Sequence, residues 1–284
     1  TLLTGGVRSD EATGEVDGFW FEGTMFYHHY SLCPLVTLWE IDKRLGDGTT
    51  KDAEVSRRFE EMFAAPVKLA DQSLRLPTVG DLGAPKFMSV RQYRHLYEYA
   101  AGQVKPERFG PTLAACYADG TPRNSWAALA FGPDTLPAAK TPAGDDLLKR
   151  PGMGVLRRTV PLGGTDEPWY LLFKAGPHGA GHDHQDKLEI AFNALGRVIA
   201  QRRTRGVTAP RDLAHALGEI LGRVIDDMVA AVRPGQFNLG RRTDGADYRR
   251  PQRLRPLAGN QPDAAGRGMA QHGISVLYAV GAAQ

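Results

Sequence analysis

Three of the eight histidines, His178, His182 and His184, fall in one short segment that is bracketed by glycines and closed by Asp186. Imidazoles can hold a metal or move a proton near neutral pH, and a carboxylate beside them can do either. If 182–186 is extended, the two-residue period of a strand puts His182, His184 and Asp186 on one face. An alternating strand follows, with Leu188, Ile190 and Phe192 pointing one way and Glu189, Ala191 and Asn193 the other. A polar loop entering a strand is the plain alternative, but three histidines together with Asp186 favour chemistry. Far upstream, Tyr27, His28, His29 and Tyr30 stand side by side. A tyrosine can serve as acid or base, yet its ordinary pKa of about 10 makes ionisation at pH 7 cost about 4 kcal/mol. A nearby cation or a donor to the phenolate must supply that, and a neighbouring histidine is a candidate.

The elements that must position these groups show in the apolar spacing. Leu32, Leu35, Val36, Trp39 and Ile41 predict a helix over 30–45, interrupted by Pro34 and ended by Gly46. A second helix over 53–69 turns Val55, Phe59, Met62 and Phe63 inward and Arg57, Arg58, Glu60 and Glu61 outward, with a break expected at Pro66. A third, over 90–101, carries Tyr93, Leu96, Tyr97 and Tyr99. Beyond it, clusters of Pro, Gly, Asp and Thr separate short apolar runs, and 154–156, 169–173 and 188–194 read as strands. Gly196 and Arg197 turn the chain, and 198–200 is expected to return as the partner strand. The pattern implies an α+β, multidomain chain: a helical domain over 1–110, antiparallel sheet over 111–232, and an irregular tail over 233–284. Residues 201–284 hold no Lys but 13 Arg, a composition that a reading-frame shift in a GC-rich gene would give.

The 284 residues are 42% hydrophobic and 24% charged, with a net charge of +3. No run of Lys or Arg forms a nucleic-acid stripe, so no nucleic-acid partner is expected, while a modest basic balance suits an anionic one. No apolar run approaches the ~20 residues of a membrane helix, so no membrane partner is expected either. Cys33 and Cys116 define neither a disulfide nor a compartment. Trp39 and Trp169 read as core, and Lys174 and Lys187 as solvated strand-end lysines.

The stretch from Asp17 through Glu22, Gly23, Tyr27, His28 and Tyr30 to Leu32 resembles the DG-x-x-x-EG-x-x-x-YH-x-Y-x-L helix of the heparinase II/III-like polysaccharide lyases, alginate and oligo-alginate lyases included. The stretch from Gly176 to Leu188 is similar to the same family's GPHG-x-x-H-x-H-x-DKL strand. The likeness covers about 12–200 and implies the end of an (α/α) helical toroid followed by an antiparallel β-sandwich. It implies cleavage of a uronate-containing polysaccharide or oligosaccharide by β-elimination, outside the cytoplasm, in the periplasm or the extracellular space. By the resemblance, Tyr27 is the catalytic tyrosine with Tyr30 in reserve, and His182 is the catalytic imidazole. Trp20, His28 and His178 are then candidates to touch the sugar, and Glu22 is a candidate partner at the helix start.

The resemblance also implies structural zinc at His184, with His215 as a more distant ligand. The positions where it would place an aspartate ligand hold Ala200, Gln201 and Arg202. It implies in addition an Asn or His, upstream of the tyrosine motif, that neutralises the uronate carboxylate; residues 1–16 contain neither. The chain is therefore expected to be the C-terminal part of a longer lyase, with its leader elsewhere. Two other readings stand beside this one. One is a sugar-binding remnant that keeps the cleft without the chemistry. The other takes His182, His184 and Asp186 as the H-x-H-x-D of a metal-dependent hydrolase, although Lys187 stands where that motif continues with histidine.

Overall fold

The structure, a computed structural model, describes residues 2–9, 13–46, 48–81, 88–162, 164–175, 182, 188–194 and 197–204. The chain divides into two compact units, Thr1–Arg233 and Pro234–Gln284, and the second lies wholly outside the described residues. In the first unit a short helix α1 (Leu2–Gly6) leads into a hairpin of β1 (Val7–Ser9) and β2 (Val16–Trp20). Helices α2 (Met25–Leu45) and α3 (Ala53–Leu69) follow, then a two-stranded ribbon of β3 (Arg75–Leu76) and β4 (Met88–Ser89). Helices α4 (Arg94–Tyr99), α5 (Pro106–Tyr117) and α6 (Trp126–Ala130) precede the strands β5 (Asp146–Leu148), β6 (Met153–Leu162), β7 (Thr165–Lys174), β8 (Leu188–Ala194) and β9 (Arg197–Thr204). Those five form one antiparallel sheet in sequence order. The chain is thus α+β. Among the described residues no helix is long and apolar enough to cross a membrane.

Helix α3 spans the expected 53–69 because its ends and faces agree. Asp52 caps it by accepting from the N–H groups of Glu54 and Val55. Its apolar stripe of Val55, Phe59, Met62 and Phe63 is buried, and Trp39 of α2 stacks on Phe59 at 4.1 Å. Neither proline breaks its helix. Pro34 sits on the exposed side of α2, where the carbonyl it leaves unpaired can reach water, and α3 runs through Pro66 to Leu69. The third expected helix is instead a 3₁₀ turn (Val90–Tyr93), α4, and a π-helical turn (Ala100–Val104). Helix α5 runs across the boundary expected at 110.

Helices and sheet are joined at the end of α3. On one face of the sheet Val155 opposes Leu172, which opposes Ala191, and all three are buried. On that face the Tyr170 hydroxyl donates to Leu69 O at 2.7 Å, and the buried guanidinium of Arg157 donates to Lys68 O and Ala70 O. The same guanidinium donates to Gly144 O at 2.9 Å and the Asp146 carboxylate at 2.7 Å. It therefore satisfies the last carbonyls of a helix with a charge buried in the sheet. Arg157→Met is expected to lower the unfolding free energy by about 3–5 kcal/mol, because those acceptors would stay buried without a donor. A urea midpoint shift worth under about 1 kcal/mol would show that this side chain does not hold the joint.

Lys174, expected to be solvated, is buried opposite Glu189 in the ladder, and Glu189 is buried with Ile190, Ala191 and Phe192. Strand β8 is thus covered on both faces, and the alternation in its sequence does not mark a wet side.

Candidate functional site

The residues that place the site lie between β2 and the first turn of α2. All five residues of β2 are buried, and Gly18 approaches α3 so closely that a Cβ there would meet the Glu61 carbonyl oxygen at 1.9 Å. With φ of +78°, Gly18 also holds a backbone that a side chain disfavours. The chain turns at 21–24, and Thr24 caps α2, its hydroxyl accepting from Tyr27 N–H at 3.1 Å. This cap puts Tyr27 on the first turn, at the rim. From the sheet side, the Arg150 N–H donates to Asp17 at 2.6 Å, tying the turn after β5 to β2.

His182 comes from the connection between β7 and β8 and sits in a turn, not on the strand expected for it. Its ring lies on Tyr27, centroids 3.5 Å apart and planes 10° from parallel. Two carboxylates flank the imidazole, Asp81 Oδ2 at 3.5 Å from Nδ1 and Glu22 Oε1 at 3.8 Å from Nε2. Glu22 is held in turn by the Trp20 indole, whose N–H donates to Oε2 at 2.9 Å. The Asp81 N–H donates to His182 O at 3.1 Å. The pair is partly open, with the His182 side chain 37% exposed. Burial, then the negative charges of Asp81 and Glu22, then Tyr30, push the Tyr27 phenol above its ordinary pKa. Tyr27 therefore keeps its proton at neutral pH.

The other sequence candidates divide. Tyr30 is mostly exposed, its ring 6.0 Å from Tyr27, so it stands beside the pair rather than in it. Trp20 is buried and its indole N–H is committed to Glu22, which leaves no face for stacking on a sugar. His28 is corrected outright as a substrate contact, being fully buried with both nitrogens engaged. Its Nδ1 accepts from Trp20 N–H at 3.2 Å, and Nε2 donates to Met62 O at 2.9 Å. Pro66 explains the second bond: lacking an N–H, it cannot donate to the carbonyl four residues back, and His28 supplies that donor. His28 thus ties β2, α2 and α3 together under the site. His29 is buried as well, stacked on Tyr93 at 3.7 Å. His178, His184 and His215 lie outside the described residues. Among the described residues no group of three or more His, Cys, Asp or Glu side chains is placed to hold a metal.

Asp81 is the neighbour of His182 that sequence reasoning missed. It belongs to no motif, and only the folded chain brings it to His182. A small cleft lined by Asp71, Arg75, Tyr170 and Asn193 at the joint of α3 and the sheet includes none of these groups, and its Asp71 carboxylate already accepts from the N–H groups of Ser73 and Arg75. Compared with known proteins, the chain matches no family, no curated protein and no solved structure.

Proposed function

We propose that the chain is a polysaccharide lyase, cleaving a uronate-containing glycan by β-elimination at Tyr27 and His182. The observation that carries this reading is the stack of a proton-bearing phenol on an imidazole, two groups from distant parts of the sequence that share one partly open rim. In this reading the His182 imidazole removes the C5 proton, and the C–H electrons form the C4–C5 double bond. The C4–O bond breaks, and the leaving glycosidic oxygen takes the Tyr27 proton, which solvent then restores. Because the phenol is held above its usual pKa, Tyr27 suits the acid role and leaves the base role to His182.

The finer architecture belongs to the same reading: the helices as the end of a toroid, and the five-stranded sheet as one layer of a sandwich. So do an anionic polysaccharide or oligosaccharide as substrate and a periplasmic or extracellular site of action. Neutralising the uronate carboxylate needs a cation or strong donor. The charged groups facing His182 among the described residues are carboxylates, so that partner has to come from elsewhere. Zinc enters only as a structural ion at His184 and His215, and no step runs through it.

Incubation with alginate-, heparin- and hyaluronan-type oligosaccharides tests the proposal. New ultraviolet absorbance from the unsaturated uronate is the expected result. Reducing ends without absorbance would point to a hydrolase, and binding without turnover to a sugar-binding remnant; either would end the lyase reading.

A further inference from the structure

We propose that the loop at 77–81, bent at Gly80, is the seat of the site: Gly80 and Asp81 hold His182 flat on Tyr27 as positioning residues. The catalytic meaning of this seat rests on the lyase reading, whereas its geometry stands alone. Gly80 has φ of +66°, a left-handed backbone that favours glycine. A Cβ there would lie 2.5 Å from Thr24 Cγ2 and 3.0 Å from His182 O. Thr24 is the cap of the helix that carries Tyr27, and its own carbonyl accepts from His28 N–H at 3.0 Å. A single glycine therefore touches both halves of the pair, the cap beneath Tyr27 and the backbone of His182.

Asp81 completes the seat with two contacts to one residue. Its N–H donates to His182 O at 3.1 Å, and its carboxylate faces Nδ1 at 3.5 Å. The backbone contact fixes the height of the turn bearing His182, and the carboxylate fixes the rotation of the ring. Thr24 is completely buried, so a methyl at Gly80 cannot be absorbed by moving it. The other neighbour of that methyl is the His182 carbonyl oxygen at 3.0 Å, and that is where the added volume would go. The imidazole would lift from the phenol, and a displacement of about 1 Å at reacting groups costs on the order of 100-fold in rate.

The test is read on the resting protein, with no substrate. The imidazole proton resonances of His182, assigned by their loss in His182→Gln, should lie upfield in the ring current of Tyr27, and Tyr27→Leu should abolish that displacement. Gly80→Ala is expected to remove it while far-ultraviolet circular dichroism stays unchanged. Adding Thr24→Ser, which deletes the obstructing methyl but keeps the capping hydroxyl, should restore part of it. Asp81→Ala should weaken it, and Asp81→Asn, which keeps an oxygen toward Nδ1, should preserve it. Should Gly80→Ala fail to fold, the exposed Asp81 pair of variants decides alone. An upfield displacement unchanged in every folded variant of Gly80 and Asp81 overturns the proposal. Where the parent protein shows lyase turnover, Gly80→Ala should lower kcat on the order of 100-fold with KM nearly constant. A parent without turnover defeats the lyase reading and leaves the resonance test intact.

Discussion

Tyr27→Phe is expected to lower turnover on a uronate oligosaccharide by on the order of 10²–10⁴-fold, with KM held within a few fold. The substitution keeps the ring that stacks on His182 and removes only the phenolic proton, so binding and packing should change little. Burial and the carboxylates of Asp81 and Glu22 raise the phenol, which makes a phenolate base at neutral pH more costly than for a free tyrosine. The loss should therefore shrink on a substrate whose leaving group departs without a proton. His182→Gln should lose turnover on both substrates alike, since proton removal from carbon is needed for each. Tyr30→Phe should stay within a few fold of the parent, because that ring is mostly in solvent. Equal losses for Tyr27→Phe on the two leaving groups would assign the tyrosine a base role. A larger loss at Tyr30 would move the assignment there.

That Tyr27 meets His182 while His28 and His29 turn inward follows from helix geometry. Consecutive positions of a helix turn about 100°, so of Tyr27, His28, His29 and Tyr30 only part can face one cleft. The residue types signal chemistry, but which way each points depends on what covers α2. The sequence shows no sign that β2 and α3 close over His28, since all five residues of β2 are buried and leave no alternation to read. Pro66 looked like a helix breaker because its effect on α3 is local in sequence. The compensation is not local, since the missing donor comes from His28 on another helix. Helix α3 itself was readable from the period of its apolar stripe, and the pairing of β8 with β9 was readable from Gly196. Asp81 was not, since its contact to His182 joins two loops with no periodicity in either. His184, His178 and His215 lie outside the described residues, so the zinc expectation rests on the resemblance alone.

The buried histidine pair should make the fold acid-labile well above the pH at which carboxylates protonate. Burial lowers His28 to about 4, partly offset by its bond to Met62 O. Burial, the neighbouring His28 and His95 lower His29 to about 3, again against a backbone bond, here to Met25 O. In the unfolded chain both imidazoles take up a proton near pH 6.5, whereas the folded ones refuse it until about 4 and 3. The unfolded state therefore binds more protons throughout that window. Stability is complete above about pH 6.5 and falls as the pH drops, by about 1.4 kcal/mol per unit for each histidine. For His28 alone the loss is on the order of 3 kcal/mol, a large share of the roughly 5–15 kcal/mol that holds a domain together. Protonation of His28 also turns Nδ1 from an acceptor for Trp20 N–H into a second donor, so the tie to β2 fails. His29→Phe should keep the stack on Tyr93 and remove one titrating group, including the Nε2 that has no partner among the described residues. Urea unfolding between pH 7 and 4 should then show a slope smaller by about one proton than the parent's. Identical slopes would mean that His29 is neutral or charged alike in both states, and the acid sensitivity would have to come from elsewhere in the chain.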